Sequence, residues 1–345
     1  MTPIYRLRHH GCRADEVRWR GHRLVVLENE LLRIGVLPSK GADIIELRYK
    51  PLDLDLLWHA PQPILPAGEG SATSARAQGA FLDHFSGGWQ EILPNAGPAT
   101  LYKGADLGQH GEAALLPWDA RLLDDLPDRV SVEFSVDMLR TPFRLVRVMS
   151  LESGSPRLTL TETVTNQGEE TLHYAWGHHP ALGAPFLEAG CQIQLPPCDV
   201  TQPQYAQKLA RRFLVCESAR YPYLTTVEGN QGRVDEVQSK QSRTEDVLLF
   251  SGYREGLCAV RNPRSGLSFT LMWDPAIFPY LWCWQVYGGS WGYPYYGRAY
   301  TLAIEPFNCP IMDLAEAVKN NVVPEMKPGA SVKTELAVTI AQSTR

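Results

Sequence analysis

The chain is poor in the features that assign a function quickly. It has seven cysteines in 345 residues; the number is odd, no C-x-x-C pair occurs and the spacing is irregular. That pattern reads as reduced, mostly buried thiols rather than a disulfide framework or a cysteine-built zinc site. Net charge is only −5, too mild to point to a nucleic acid or an anionic membrane as partner. No apolar run approaches the roughly 18 residues of a membrane span. Met1–Arg20 carries arginines and histidines where a signal peptide would be apolar, so a cytoplasmic location is expected. Also absent are the phosphate-binding G-x-x-x-x-G-K-[ST], the nucleophile elbow G-x-S-x-G and the zinc helix H-E-x-x-H.

What is present is mostly strand. Leu24–Leu27, Leu31–Leu37 and Ile44–Tyr49 are short, apolar and bounded by turn residues. In Arg129–Leu139, Val130, Val132, Phe134, Val136 and Met138 alternate onto one face. Phe143–Leu151, Leu158–Val164, Thr171–Trp176, Val247–Phe250, Leu257–Arg261 and Leu267–Trp273 continue the series between Gly, Asn and Pro turns. Helical patterns are confined to Pro310–Asn320 and Gln204–Phe213. Many strands at this spacing predict an all-β antiparallel sandwich or barrel, with residues 1–345 as a single domain. The Gly-, Ala- and Ser-rich stretch Pro66–Gly88 is either a surface excursion or a loop over a ligand groove.

Three motifs place chemistry at strand ends. In Tyr300–Glu305, alternation sets Thr301, Ala303 and Glu305 on one face; small neighbours leave room beside the carboxylate, and Pro306 should end the pairing. Glu305 is a candidate general base or a surface glutamate closing an edge. His178 and His179 precede Pro180, and adjacent strand residues diverge, so at most one imidazole enters a given groove. His110 lies between Gly108 and Gly111 on a tight turn and is expected to be exposed. From Trp273 to Tyr300 the chain concentrates 11 of its 33 aromatic residues. Tyr280, Trp282, Trp284 and Val286 share a strand face and read mostly as core, whereas the excess in Tyr287–Tyr296, interleaved with glycines, is harder to bury and is a candidate platform for a pyranose.

In order and context these motifs resemble the aldose 1-epimerase (galactose mutarotase) superfamily. His179 takes the place of that family's catalytic histidine, His178 stands where its asparagine would be, and His110-Gly111 is similar to the segment whose histidine binds sugar. Asn262-Pro263-Arg264-Ser265-Gly266 resembles the D-P-x-S-G region, and Glu305 matches the catalytic glutamate. Around the family's arginine this chain has Gln90 and Asn95 instead, and the sugar-binding aspartate maps to Asp246.

The resemblance implies a large antiparallel β-sandwich that interconverts the α and β anomers of a monosaccharide or sugar derivative. Glu305 would take the O1 proton while His179 protonates the ring oxygen; His110, His178, Gln90, Asn95, Asp246 and Trp284 would hold the sugar. No cofactor is expected, since the reaction is neither redox nor hydrolytic, and a homodimer is a possible assembly. Arg298, seven residues before Glu305, is a candidate for holding an acidic substituent if a bulge turns it inward. Two other readings stay open: a non-catalytic carbohydrate-binding protein, and a metal-dependent isomerase built on His110, Glu112, His178 and His179.

Overall fold

Strands Phe143–Glu152 and Arg157–Asn166 alternate buried and half-buried residues along their length, the signature of a sheet with one face in a core and the other near water. Strands Trp89–Ile92 and Gly177–Leu182 are buried at every position, so both of their faces are covered. This contrast defines the architecture. The computed structural model describes residues 8–62, 64 and 77–342. Its two large sheets are antiparallel, of twelve and eight strands, and one cluster of buried apolar side chains runs through both.

The middle of the larger sheet runs Asp43–Tyr49, Trp89–Ile92, Gly177–Leu182, Tyr300–Phe307, Tyr280–Tyr287 and Thr244–Ser251. The smaller sheet centres on Leu267–Trp273, Ser331–Gln342, Arg157–Asn166, Phe143–Glu152 and Arg129–Asp137. One face of the larger sheet packs on the smaller sheet, and its other face floors a cavity.

The expected sandwich is therefore present, with local differences. Thr171–Trp176 is strand only at Leu172–His173, and the next strand starts at Gly177 and carries both histidines. Pairing runs through Pro306 to Phe307, opposite Leu281 and Tyr280. Pro310–Asn320 contains the helix Leu314–Lys319, capped by Asp313, whose side chain accepts from Glu316 N. Gln204–Phe213 provides only the 3-10 turn Gln204–Lys208. Of the Pro66–Gly88 stretch, residues 66–76 lie outside the described residues, while Ala77–His84 forms a helix. All seven cysteines are unpaired, and only Cys216 is exposed. No helix among the described residues is long and apolar enough to cross a membrane.

Candidate active site

Register across three neighbouring strands assembles the site. Trp282 lies opposite Glu305 and Trp284 opposite Ala303, while Ala181 lies opposite Ala303 on the other side. Directly paired residues share a face, so His179, two positions before Ala181, joins Glu305, Trp282 and Trp284 on the cavity floor. His179 Nε2 is 3.4 Å from Glu305 Oε1, with both side chains almost wholly buried. The cavity holds about 930 Å³ and is also walled by His110, Tyr295 and Glu245. Phe81 and Phe85, from the helix Ala77–His84 and just beyond it, complete the side over the histidines. Phe81 meets His110 edge-on at 4.4 Å and Phe85 meets His179 at 5.3 Å between ring centroids.

Burial governs the charges here. It pushes Glu305 up to about 8. It also pulls His179 down to about 3, helped by neighbouring His110, and His110 down to about 4. At neutral pH the pair therefore rests as a carboxylic acid beside a neutral imidazole, not as a carboxylate base beside a charged acid. His110 is itself buried, contrary to its expected exposure; its backbone adopts φ 59°, and its Nδ1 donates to Ala96 O at 2.6 Å. That bond leaves Nε2 as an acceptor.

The remaining candidates separate by where their hydrogen bonds go. Trp284 lines the cavity, steered by donation from its Nε1 to Glu245 Oε1 at 3.0 Å. Asn95 does not face the cavity: its Nδ2 donates to Gly97, Pro98 and Gly108 carbonyls and its Oδ1 accepts from Leu314 N. Gln90 lies opposite His179 and so shares its face of the sheet, but it is buried and does not line the cavity, donating to Asp43 Oδ2 and Gly87 O. Asp246 points to the opposite face, where it accepts from Arg212 N and Nε. Its neighbours Glu245 and Val247 take the cavity-facing positions instead, a one-residue shift that inverts the face. Arg298 is exposed, outside the cavity wall, with Nε donating to Tyr295 O at 3.1 Å.

His178, the other member of the pair, faces the core between the sheets and does not reach the cavity. There a second polar cluster forms from two cross-strand pairs: His178 opposite Glu91 on one sheet, and Arg147 opposite Glu162 on the other. All four are fully buried. Trp89 Nε1 donates to His178 Nδ1 at 3.2 Å, so the ring proton sits on Nε2, 3.0 Å from Glu162 Oε2. Arg147 Nη1 is 3.5 Å from Glu91 Oε2. Burial raises Glu91 to about 8, with the charge of Glu162 adding to the rise, and raises Glu162 to about 7.

Glu91, Glu162 and His178 lie close enough together to hold a metal ion. The donor set does not fit one: the nitrogen facing Glu162 carries a proton, and Arg147 already supplies the positive charge. Glu112 is likewise occupied, accepting from Leu139 N, Arg140 N and Thr141 Oγ1. The sequence held a sign of this cluster, because Arg147 and Glu162 sit at the apolar parity of their strands, between Leu145 and Met149 and between Leu160 and Val164. Glu245 carried no comparable signal.

The two antiparallel sheets and their order define the class: the galactose mutarotase-like β-sandwich fold. A candidate aldose 1-epimerase from Klebsiella pneumoniae matches it with a TM-score of 0.76 and 17% identity, covering 96% of this chain and 83% of that one. A galactose mutarotase-like protein from Clostridium acetobutylicum gives 0.65 at 15% identity, covering 96% and 99%. One from Lactobacillus casei gives 0.56 at 18%, covering 92% and 100%. Residues 19–340 match the family described as Domain of unknown function (DUF4432), and the chain belongs to that family. Among curated proteins, no sequence matches it.

Proposed function

We propose that the protein is an isomerase of the aldose 1-epimerase type, exchanging the anomers of a sugar by acid–base catalysis between Glu305 and His179. The observation that carries this reading is the 3.4 Å approach of two buried, oppositely shifted groups on a cavity floor. Groups whose environments drive their pKa values apart are suited to opposite proton-transfer roles.

With the proton resting on Glu305, the glutamic acid gives it to the ring oxygen while His179 takes the proton from the O1 hydroxyl. The C1–O5 bond breaks, leaving an open-chain aldehyde. After rotation about C1–C2, the chain hydroxyl adds to the other face of the carbonyl, and both protons return by the reverse transfers. Trp282 and Trp284 offer rings to the C–H face of the sugar, and His110 Nε2 accepts from a hydroxyl. Each positioned group contributes roughly 10²–10⁴-fold.

The test is Glu305→Gln, which keeps shape but removes the transferable proton. Anomer exchange followed by NMR should fall at least about 100-fold while sugar binding persists. Exchange at the wild-type rate in this variant overturns the assignment. Binding without exchange in the wild type would make the protein a carbohydrate-binding module.

A further inference from the structure

We infer that the ligand carries an uncharged apolar group, aryl or alkyl, attached beside the hemiacetal ring on which the His179–Glu305 pair acts. The inference takes the ring from the acid–base reading above and the apolar group from the walls. At about 930 Å³ the cavity is near the top of the roughly 300–1,000 Å³ range of pockets that enclose drug-sized molecules. A lone monosaccharide leaves much of that space to water.

The walls decide what fills it. Aromatic rings serve the C–H face of a sugar, but Leu82, Leu209, Val247, Ile311 and Met312 also line the cavity. These aliphatic groups offer no hydrogen bond, so hydroxyls pressed against them lose water without a new partner. The polar residues expected to read a hydroxyl pattern are used elsewhere: Asn95, Gln90 and Asp246 all bond within the protein. Hydroxyl recognition is left to Gln109, His110, Gln204 and the acidic side chains of the wall, besides the acid–base pair, and these do not extend over the aliphatic groups.

Charge narrows the class further. Among the described residues, no lysine or arginine lines the cavity, whereas Glu245, Asp313 and Glu316 do so in addition to Glu305. A sugar acid would meet carboxylates without a counter-charge. The acidic substrate considered for Arg298 is therefore replaced by a neutral, partly apolar one.

The experiment compares D-glucose and D-galactose, their 6-O-benzyl and 4-O-benzyl ethers, and D-glucuronate. All keep a free anomeric centre. Binding is read by quenching of tryptophan fluorescence and turnover by NMR exchange. At least one benzyl ether should bind at least tenfold tighter than its parent, and glucuronate should bind more weakly than glucose. Met312→Asp should cut the benzyl preference to less than threefold. Equal binding of ethers and parents, or preference for glucuronate, overturns the inference, as does a benzyl preference that Met312→Asp leaves intact. Glu305→Gln keeps this separate from the catalytic proposal. If the variant still favours the ethers but exchange is unaffected, the ligand class stands and the acid–base assignment falls. If exchange collapses but no ether preference exists in either protein, the reverse holds.

Discussion

Replacing Arg147 with methionine is the sharpest probe of the cluster behind the site. The guanidinium is fully buried, 3.5 Å from Glu91 Oε2, donates Nη2 to Ala42 O, and lies over the Trp118 ring at 5.0 Å. At an effective dielectric near 20, a unit pair at that distance is worth about 5 kcal/mol, an upper figure because desolvation opposes it. Breaking a buried pair on one side costs about 3–5 kcal/mol in measured cases. Methionine fills much of the volume, so little of the loss should come from packing.

The pH dependence makes this prediction specific. Glu91 and Glu162 have folded pKa values near 8 and 7, above the ordinary 4.5. A raised carboxyl contributes stability that is full below its unfolded value and is lost as pH rises through the folded one. Without Arg147 both values rise further, so ionisation of the pair becomes harder. At pH 5.5 both carboxyls are largely protonated in either protein, and the deficit should shrink to about 1–2 kcal/mol, the worth of a lost hydrogen bond to a charged group. At pH 8 it should reach about 3–5 kcal/mol. Urea unfolding at the two pH values measures both. Equal deficits, or a loss below about 1 kcal/mol at pH 8, would refute the charge assignment and leave Arg147 a space-filler.

Other outcomes follow from the same geometry. Because the active pair rests with its proton on Glu305, kcat/KM for anomer exchange should be flat between pH 5 and 7 and decline above pH about 8, where that proton is lost. A rise through pH 8 would mean a carboxylate base. His179→Ala should abolish exchange with little loss of fold, whereas His178→Ala should act mainly on stability, by about 2–4 kcal/mol; thermal melts and exchange rates on both variants check the order. Gly177→Ala would place a methyl 2.3 Å from the Phe307 ring, a forced shift in a packed core costing about 1–3 kcal/mol. A melting temperature unchanged by that substitution would show that the start of the strand is looser than described.

Period-two alternation made the site's floor legible, because it depends only on neighbours along the chain. It placed Ala303 and Glu305 together, grouped Trp282 with Trp284, and sent His178 and His179 to opposite faces. Features that depend on what lies across a sheet were not legible. Asp246 and Glu245 are chemically alike and adjacent, and only pairing with Gln285 and Val286 decides which faces the cavity. The helix Ala77–His84 has a composition typical of a loop; Phe81 and Phe85, packed against the two imidazoles, give it an apolar side that local propensity does not reveal. His110 looked exposed because its turn is tight, yet Phe81 and the Ala96 carbonyl enclose it.

The proposed catalytic pair, His179 and Glu305, sits on inner strands of a twelve-stranded sheet, each hydrogen-bonded on both sides, with the buried polar cluster fastened to the back of His179 through its neighbour. Amides in such strands open only with the whole fold. The floor is therefore the part of the protein least able to yield to an arriving ligand, and accommodation falls to the opposite walls: the short helix bearing Phe81 and the Pro310–Met312 segment ahead of Leu314. Under the proposed reaction, selectivity for one ligand over another can thus drift through those walls while the geometry of His179 and Glu305 stays fixed, which separates the evolution of what is bound from that of what is done to it.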